Sequence, residues 1–309
     1  MTDLSLQNPE LAASLEPTVH PAGDSPQHRA VQARGFQQTS RPRRSALLRG
    51  RGLVGLVLVG LVVLIGVLAP LLASYAPQAQ IADANLLGAS WQHPFGTDEV
   101  DRDVLSRVVY GIRTDALIVF LVVPLGAVIG GVVGLVASQF TAADVVAQRV
   151  FDVLLAFPAL ILAIGLTAVT GPGLLPIGCV VVAVELPLFG RLVRSATLKA
   201  RELPFVEVSE LMGAPRWWVL WRHILPNITE PIVVQLALSM SGAVFIESAM
   251  NFIGIGVRPP APSLGSVLSG SIANLRYNPM YAVGPLLVIA ALVLGFQLVA
   301  QALSADRRG

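Results

Sequence analysis

Residues 207–227, EVSELMGAPRWWVLWRHILPN, lie between two hydrophobic blocks of the chain. The segment carries several charges and is interrupted by Gly213, Pro215 and Pro226, so it is too polar and too broken to cross a bilayer. The pattern predicts a helix, a glycine turn and a second amphipathic helix. Because the flanking blocks are expected to span a membrane, this segment is expected to lie against one membrane face as a docking element.

Composition indicates a membrane protein. The chain has 309 residues, of which 54% are hydrophobic and 13% charged, with a mean hydropathy of +0.70. One soluble core cannot bury that much apolar surface. Three uncharged runs, Leu53–Ala73, Ala116–Phe140 and Tyr277–Ala305, each contain the roughly 20 residues that a helix needs to cross about 30 Å of hydrocarbon.

Three further spans are predicted. An uncharged region around Gly171-Pro172-Gly173 reads as a tight hairpin with arms at Phe151–Thr170 and Leu174–Gly190. Another span, Pro231–Ile253, is interrupted by Glu247. The sequence therefore predicts an all-α membrane protein of about six transmembrane helices, in which each helix satisfies its own backbone polar groups.

Basic residues predict the orientation of the chain. The N-terminal region holds seven arginines up to Arg51, residues 191–231 hold six Lys or Arg, and the chain ends with Arg307 and Arg308 before its final glycine. In a six-span arrangement these three regions share one side, which the positive-inside rule makes cytoplasmic. Both termini are then expected in the cytoplasm.

The same reading divides the chain into four regions. Residues 1–50, rich in Pro, Gln, Ser and Arg, are predicted to be a disordered cytoplasmic tail whose arginines contact anionic lipid. Residues 51–113 contain the first span and an external loop. Residues 114–305 form a five-helix core that includes the cytoplasmic loop 191–231, and residues 306–309 are a cytoplasmic C-terminus.

The sequence lacks the common catalytic and cofactor signatures. A single cysteine, Cys179, excludes an intrachain disulfide and a cysteine metal site. There is no H-E-x-x-H or G-x-S-x-G pattern. The only lysine, Lys199, is not preceded by a glycine-rich turn, so there is no P-loop for nucleotide. We therefore predict no catalytic, cofactor-binding or metal-binding residue; if transport is driven by ATP, the ATPase is another polypeptide.

The spacing of the quoted segment resembles a known family. A glutamate at 207, a glycine at 213 and Ile-Leu-Pro at 224–226 are similar to the EAA loop of importer-type ABC permeases, with Val208 and Ser209 in place of its two alanines. This loop is the site at which such permeases couple to their ATPases. The resemblance assigns that role to Glu207, Ser209, Gly213, Ala214, Trp217, Ile224, Leu225 and Pro226.

Other segments narrow the resemblance to the C-type subunits of dipeptide, oligopeptide and nickel permeases. These are residues 93–111, HPFGTDEVDRDVLSRVVYG, residues 151–158, FDVLLAFP, and residues 247–265, ESAMNFIGIGVRPPAPSLG. Asp101 stands where the family commonly has glycine. The resemblance covers about residues 45–305.

The first of these segments also permits a physical reading. Either Thr97 or Asp98 can cap a short helix, and Val100, Val104 and Val108 would form its apolar face. The segment is therefore expected to be an amphipathic helix at the outer membrane interface.

The family implies both function and partners. The chain is expected to be a permease subunit of an ATP-driven importer in the bacterial cytoplasmic membrane, moving di- or oligopeptides, nickel complexes or related small solutes. It would pair with a second homologous permease, one or two P-loop ATPase subunits and an extracytoplasmic solute-binding protein, and no nucleic acid is expected. Glu207 would accept hydrogen bonds from an arginine of the ATPase. Trp217, Trp218 and Trp221 would contact either the ATPase or the membrane interface.

Two acidic residues, Glu185 and Glu247, fall within or near predicted spans, where a carboxylate is costly and marks a functional candidate. Both are candidates for the translocation path. The alternative function is a secondary transporter that uses these two glutamates as a proton relay and needs no ATPase. That alternative leaves the loop at residues 207–227 without a role. A membrane-embedded enzyme is a third alternative, but no nucleophile and base are paired near one membrane depth.

Overall fold

A computed structural model describes residues 50–305, and the regular secondary structure in this part of the chain is helical, with one isolated β-bridge between Thr97 and Asp103. The tail predicted at residues 1–50, except Gly50, and the C-terminus at residues 306–309 lie outside the described residues. In chain order the α-helices are α1 (Arg51–Val67), α2 (Ala69–Leu72), α3 (Val104–Leu117), α4 (Val123–Ala137), α5 (Thr141–Ala156), α6 (Ala159–Thr170), α7 (Leu174–Arg201), α8 (Pro204–Leu211), α9 (Arg216–Val219), α10 (Leu225–Phe252), α11 (Leu264–Ile272) and α12 (Pro279–Ala305).

Two pairs of these helices are continuous. A π-helical turn at Ile118–Val122 joins α3 to α4, and a second at Leu220–Ile224 joins α9 to α10. Each turn is followed within two residues by a proline, Pro124 or Pro226. Proline cannot donate the backbone hydrogen bond of a regular helix and its ring crowds the preceding turn, and a widened turn relieves both problems. Our expectation that Pro226 breaks the chain before the span is therefore wrong.

Four helices within residues 50–305 are long and apolar enough to cross a membrane: Val104–Ala137, Leu174–Arg201, Arg216–Phe252 and Pro279–Ala305. α5 and α6 together make a fifth if the pair counts as one broken span. α1 is apolar but has only 17 residues and is followed by the single turn α2. The described residues thus contain four or five spans where about six were predicted, and six are reached only when α1 is counted as well.

The first arm of the predicted hairpin has a different shape from the one expected. The arm predicted at Phe151–Thr170 is interrupted at Phe157 and Pro158, and the axes of α5 and α6 differ by 87°. Phe157 is extended because a residue before proline is excluded from the helical region by the proline ring. The turn at 171–173 is confirmed, since α6 ends at Thr170 and α7 begins at Leu174.

A further correction concerns the segment before the second span. The predicted interfacial helix is the start of α3, which continues into α4 as one helix of 34 residues. Its N-cap is Asp103, whose carboxylate accepts a 2.7 Å hydrogen bond from the Ser106 amide, and neither Thr97 nor Asp98 is the cap. Val100 lies before the helix and is exposed, so it does not belong to the buried face that Val104 and Val108 form.

Glycines bring α4 and α7 into backbone contact. Gly126, Gly130 and Gly134 follow one another at four-residue intervals along α4, so they lie on one face. A methyl group built on Gly130 would lie 2.9 Å from the Leu186 Cα, and one on Gly134 would overlap the backbone of Gly190. Because this face of α4 carries only small residues, the backbones of the two helices can approach closely. α10 packs against both α7 and α12, and α12 also packs along α1.

Candidate functional site

The predicted docking element consists of α8, a turn at Gly213 and the start of the helix formed by α9 and α10. Gly213 has a φ of +84°, and the Ala214 amide donates a 3.1 Å hydrogen bond to the Ser209 carbonyl. This six-to-one bond with a left-handed residue before its donor is the Schellman arrangement, which glycine adopts without steric cost. The predicted helix and glycine turn are confirmed, whereas the predicted second helix is the beginning of the next span.

The loop packs against a hydrophobic cluster that is separate from the main core of the bundle. Val206 of α8 and Ile224 of the π turn are both 2% exposed and belong to one cluster with residues of α4 and α7. Ala214 and Leu225 are half-buried against it. The Ser209 hydroxyl donates to the Phe205 carbonyl at 2.7 Å, so the small residue at this position is turned back onto its own helix. The loop is thereby packed onto the ends of the two long helices that it connects.

The outer surface of the loop is apolar. Leu211 and Met212, next to the glycine turn, are 81% and 82% exposed. Other large apolar side chains of the loop that are exposed are Val208, Trp217, Trp218 and Trp221. A group of exposed large apolar side chains on one short loop is typical of a site where a protein contacts a partner or a membrane.

Glu207 is exposed and lies in the first turn of α8, beside Val208. Among the side chains that the structure describes, none forms an ion pair or a hydrogen bond with its carboxylate. Pro226, which follows the Gly213 turn in the sequence, is also exposed. Glu207 therefore presents a carboxylate next to exposed apolar side chains of the loop.

Glu185 of α7 is in the interior of the helical bundle, with 2% of its surface exposed. It receives a hydrogen bond from the Ser239 hydroxyl of α10, and Gln235 donates to the same Ser239 oxygen at 3.3 Å. Gly126 of α4 lies directly against it, since a methyl group there would be 2.8 Å from the Glu185 Cβ. Glu185 thus lies where α4, α7 and α10 meet.

Glu247 of α10 is 0% exposed, so it also lies in the interior of the helical bundle. It accepts a hydrogen bond from Asn251 and contacts the carboxyl group of Asp115 on α3. Sequence reasoning missed Asp115, because the second span was started one residue later at Ala116. The available signal was a carboxylate directly adjoining an apolar run. That Glu185 or Glu247 lines a translocation path stays a prediction.

Residues 123–308 match the family described as "Binding-protein-dependent transport system inner membrane component". The chain belongs to this family. Among its relatives is the dipeptide transport system permease protein DppC of Alkalihalophilus pseudofirmus, 35% identical over 81% of this chain and 83% of that protein. The glutathione transport system permease protein GsiD of Pectobacterium atrosepticum is 35% identical over 70% of this chain and 72% of that protein.

A solved structure supports the fold. A chain of the MetNI methionine ABC transporter, in inward-facing conformations, matches with a TM-score of 0.50 at 20% identity, covering 65% of this chain and 95% of that chain. The protein is thus a DppC-like, multi-pass inner-membrane permease subunit of an ABC importer with a MetI-like helical bundle. The family identified from the loop spacing and from the segments at 93–111, 151–158 and 247–265 is confirmed.

Proposed function

We propose that this permease imports di- or oligopeptides, and that ATPase subunits dock on the loop formed by α8, the Gly213 turn and α9. The observation that carries the docking proposal is the exposed apolar surface at Leu211 and Met212 with the unpaired carboxylate of Glu207 beside it. A groove on an ATPase can bury the apolar surface, and an arginine in that groove would form a charge-assisted hydrogen bond with Glu207.

The lengths of the adjoining helices favour a protein partner over the membrane interface. The last eleven residues of α7, residues 191–201, contain four Lys or Arg and span about 16 Å. The helix that leaves the loop carries charged residues from Arg216 to Glu230, about 22 Å along its axis, before its uncharged part begins at Pro231. The headgroup region adds only about 5–8 Å to each side of the hydrocarbon. Helices of these lengths can hold the loop beyond the headgroups, where Trp217 and Trp218 would meet an ATPase.

Peptide is proposed as the cargo because the relatives carry it in their names. One is a dipeptide permease, one a glutathione permease and another a di/tripeptide permease of Pseudomonas aeruginosa. Glutathione is itself a tripeptide, so the three share a peptide backbone. An extracytoplasmic binding protein would deliver the peptide to the outer side, and energy would come from separate ATPases because the chain has no P-loop.

A second permease is proposed to complete the path. In the four long apolar helices only 28–50% of the most apolar window is buried within this chain. The remaining surface is available to lipid and to another membrane subunit, and small residues would again allow close helix contact. We also propose that the loop and both termini are cytoplasmic, on the basis of the Lys and Arg distribution.

The transport proposal is tested with the complete complex in proteoliposomes. In the vesicles whose ATPases face outward, the lumen corresponds to the outside of a cell. Binding protein and labelled tripeptide are enclosed in that lumen. We expect ATP added outside to drive export of the label from the lumen, equivalent to import into a cell, with no response to a non-hydrolysable ATP analogue. Label movement that follows an imposed proton gradient without ATP would contradict the proposal and support the secondary-transporter alternative, with Glu185→Gln as the first variant to examine.

A further inference from the structure

Two carboxyl groups meet in the interior of the protein, outside the docking loop. Asp115 of α3 and Glu247 of α10 are each 0% exposed, and their carboxyl groups lie close enough to interact directly. The N-terminus of α11 adjoins them, because the Leu264 amide donates to Asp115 Oδ2 at 3.1 Å. Three separate elements therefore converge on this pair.

The surrounding donors satisfy only half of the four oxygens. Leu264 N–H occupies Asp115 Oδ2, and the Asn251 side-chain amide donates to Glu247 Oε1. The orientation of that amide is fixed from its other end, since Asn251 Oδ1 accepts a 2.6 Å hydrogen bond from the Val257 amide. Among the described residues, nothing donates to Asp115 Oδ1 or Glu247 Oε2.

The nearby cationic and titratable groups are engaged elsewhere. Arg107 lies eight residues earlier in α3, about 12 Å along the helix, and pairs with Asp98 at 3.6 Å. Arg258, which follows α10, donates to the Pro172 carbonyl. The Tyr281 hydroxyl of α12 is bonded to Glu99, and α11 contains no charged residue. Neither of these two arginines is therefore placed to neutralise the carboxyl pair.

Two ionised carboxylates are acceptors only, so they cannot bond to each other and repel strongly when buried. A single protonated carboxyl supplies the one donor that the two unpartnered oxygens lack. We propose that Asp115 and Glu247 form a proton-binding site that holds one proton, taken up from water, between the two carboxyl groups. The pair then carries one negative charge instead of two, and it joins α3, α10 and the N-terminus of α11 through hydrogen bonds.

The test is infrared spectroscopy on the full-length chain in its complex, in H2O and in D2O. The native protein is expected to show the C=O stretch of a protonated carboxylic acid, shifted by deuterium. Asp115→Asn and Glu247→Gln should each abolish that component in native-minus-variant difference spectra, because one shared proton needs both carboxyls. Glu185→Gln, a matched change at the other buried glutamate, should retain it.

Two results would overturn the proposal. A component that survives in Asp115→Asn or in Glu247→Gln would place the proton on one carboxyl alone. A native Tm that rises in sodium chloride relative to choline chloride, with no rise in either variant, would assign the site to a metal cation.

Asp115→Asn is expected to keep a Tm close to the native value, because its amide can accept from Leu264 and donate to Glu247. Asp115→Ala should lower Tm, so loss of fold and loss of the proton are measured separately.

Discussion

Replacing both Gly130 and Gly134 by alanine is expected to destabilise the protein by roughly 2–6 kcal/mol, at about 1–3 kcal/mol for each overpacked position. Both added methyl groups would meet the backbone of α7, at Leu186 and Gly190, and backbone cannot rotate out of the way as a side chain can. Because native proteins are stable by only about 5–15 kcal/mol, much of the folded population should be lost. The measurement is the Tm and the yield of monodisperse protein in a fixed detergent.

Gly131→Ala is the matched control in the same helix. A methyl group there lies 3.5 Å from a Val193 methyl, an ordinary contact, so the gain in helix propensity of up to about 1 kcal/mol should be retained. We expect the Tm of Gly131→Ala to equal or exceed that of the native chain. A double variant at 130 and 134 as stable as this control would show that α4 and α7 do not approach as described.

Replacing Gly213 by valine is expected to weaken ATPase docking roughly 5- to 30-fold, which corresponds to about 1–2 kcal/mol. A methyl group at this position would contact nothing within 4 Å, so crowding is not the cause. The cost comes from holding a residue with a Cβ at a φ of +84°, a penalty of about 1–2 kcal/mol that is larger for β-branched side chains. The measurement is the Kd of the purified permease for its ATPase.

Asparagine separates backbone conformation from side-chain size at this position. Asn tolerates the left-handed region better than other residues with a Cβ, so Gly213→Asn should bind the ATPase with a Kd near the native value. If Asn and Val weaken docking equally, the left-handed turn is not what positions the loop, and a direct contact of Gly213 with the partner would explain the result.

Much of the helical architecture was predictable, because long uncharged runs and the turn at 171–173 are local signals. The break at Pro158 was also local, since a residue before proline avoids the helix, but the uncharged composition of the run outweighed it in our reading. Helix ends were less predictable. α3 begins at Val104 because Asp103 caps it, and sequence alone offered Thr97 and Asp98 as equally suitable caps.

The docking loop was more predictable than the bundle interior. Spacing alone located Glu207 in a helix and Gly213 in the turn that follows it, since a left-handed turn favours glycine at one defined position. The burial of Glu185, and the contact of Glu247 with Asp115, depend instead on which helix faces pack together. Asp115 and Glu247 are 132 positions apart in sequence, and no local pattern pairs them.

The central claim, that an ATPase docks on this loop, is tested most directly by gentle extraction of the native chain from its membrane and identification of the proteins that co-purify. We expect P-loop ATPases and a second permease to accompany the native chain and the Glu202→Ala control, which removes another exposed carboxylate at the end of α7. Glu207→Ala combined with Gly213→Pro should keep the second permease and lose the ATPases. A native chain that emerges without ATPases, or a double variant that retains them fully, would contradict the account.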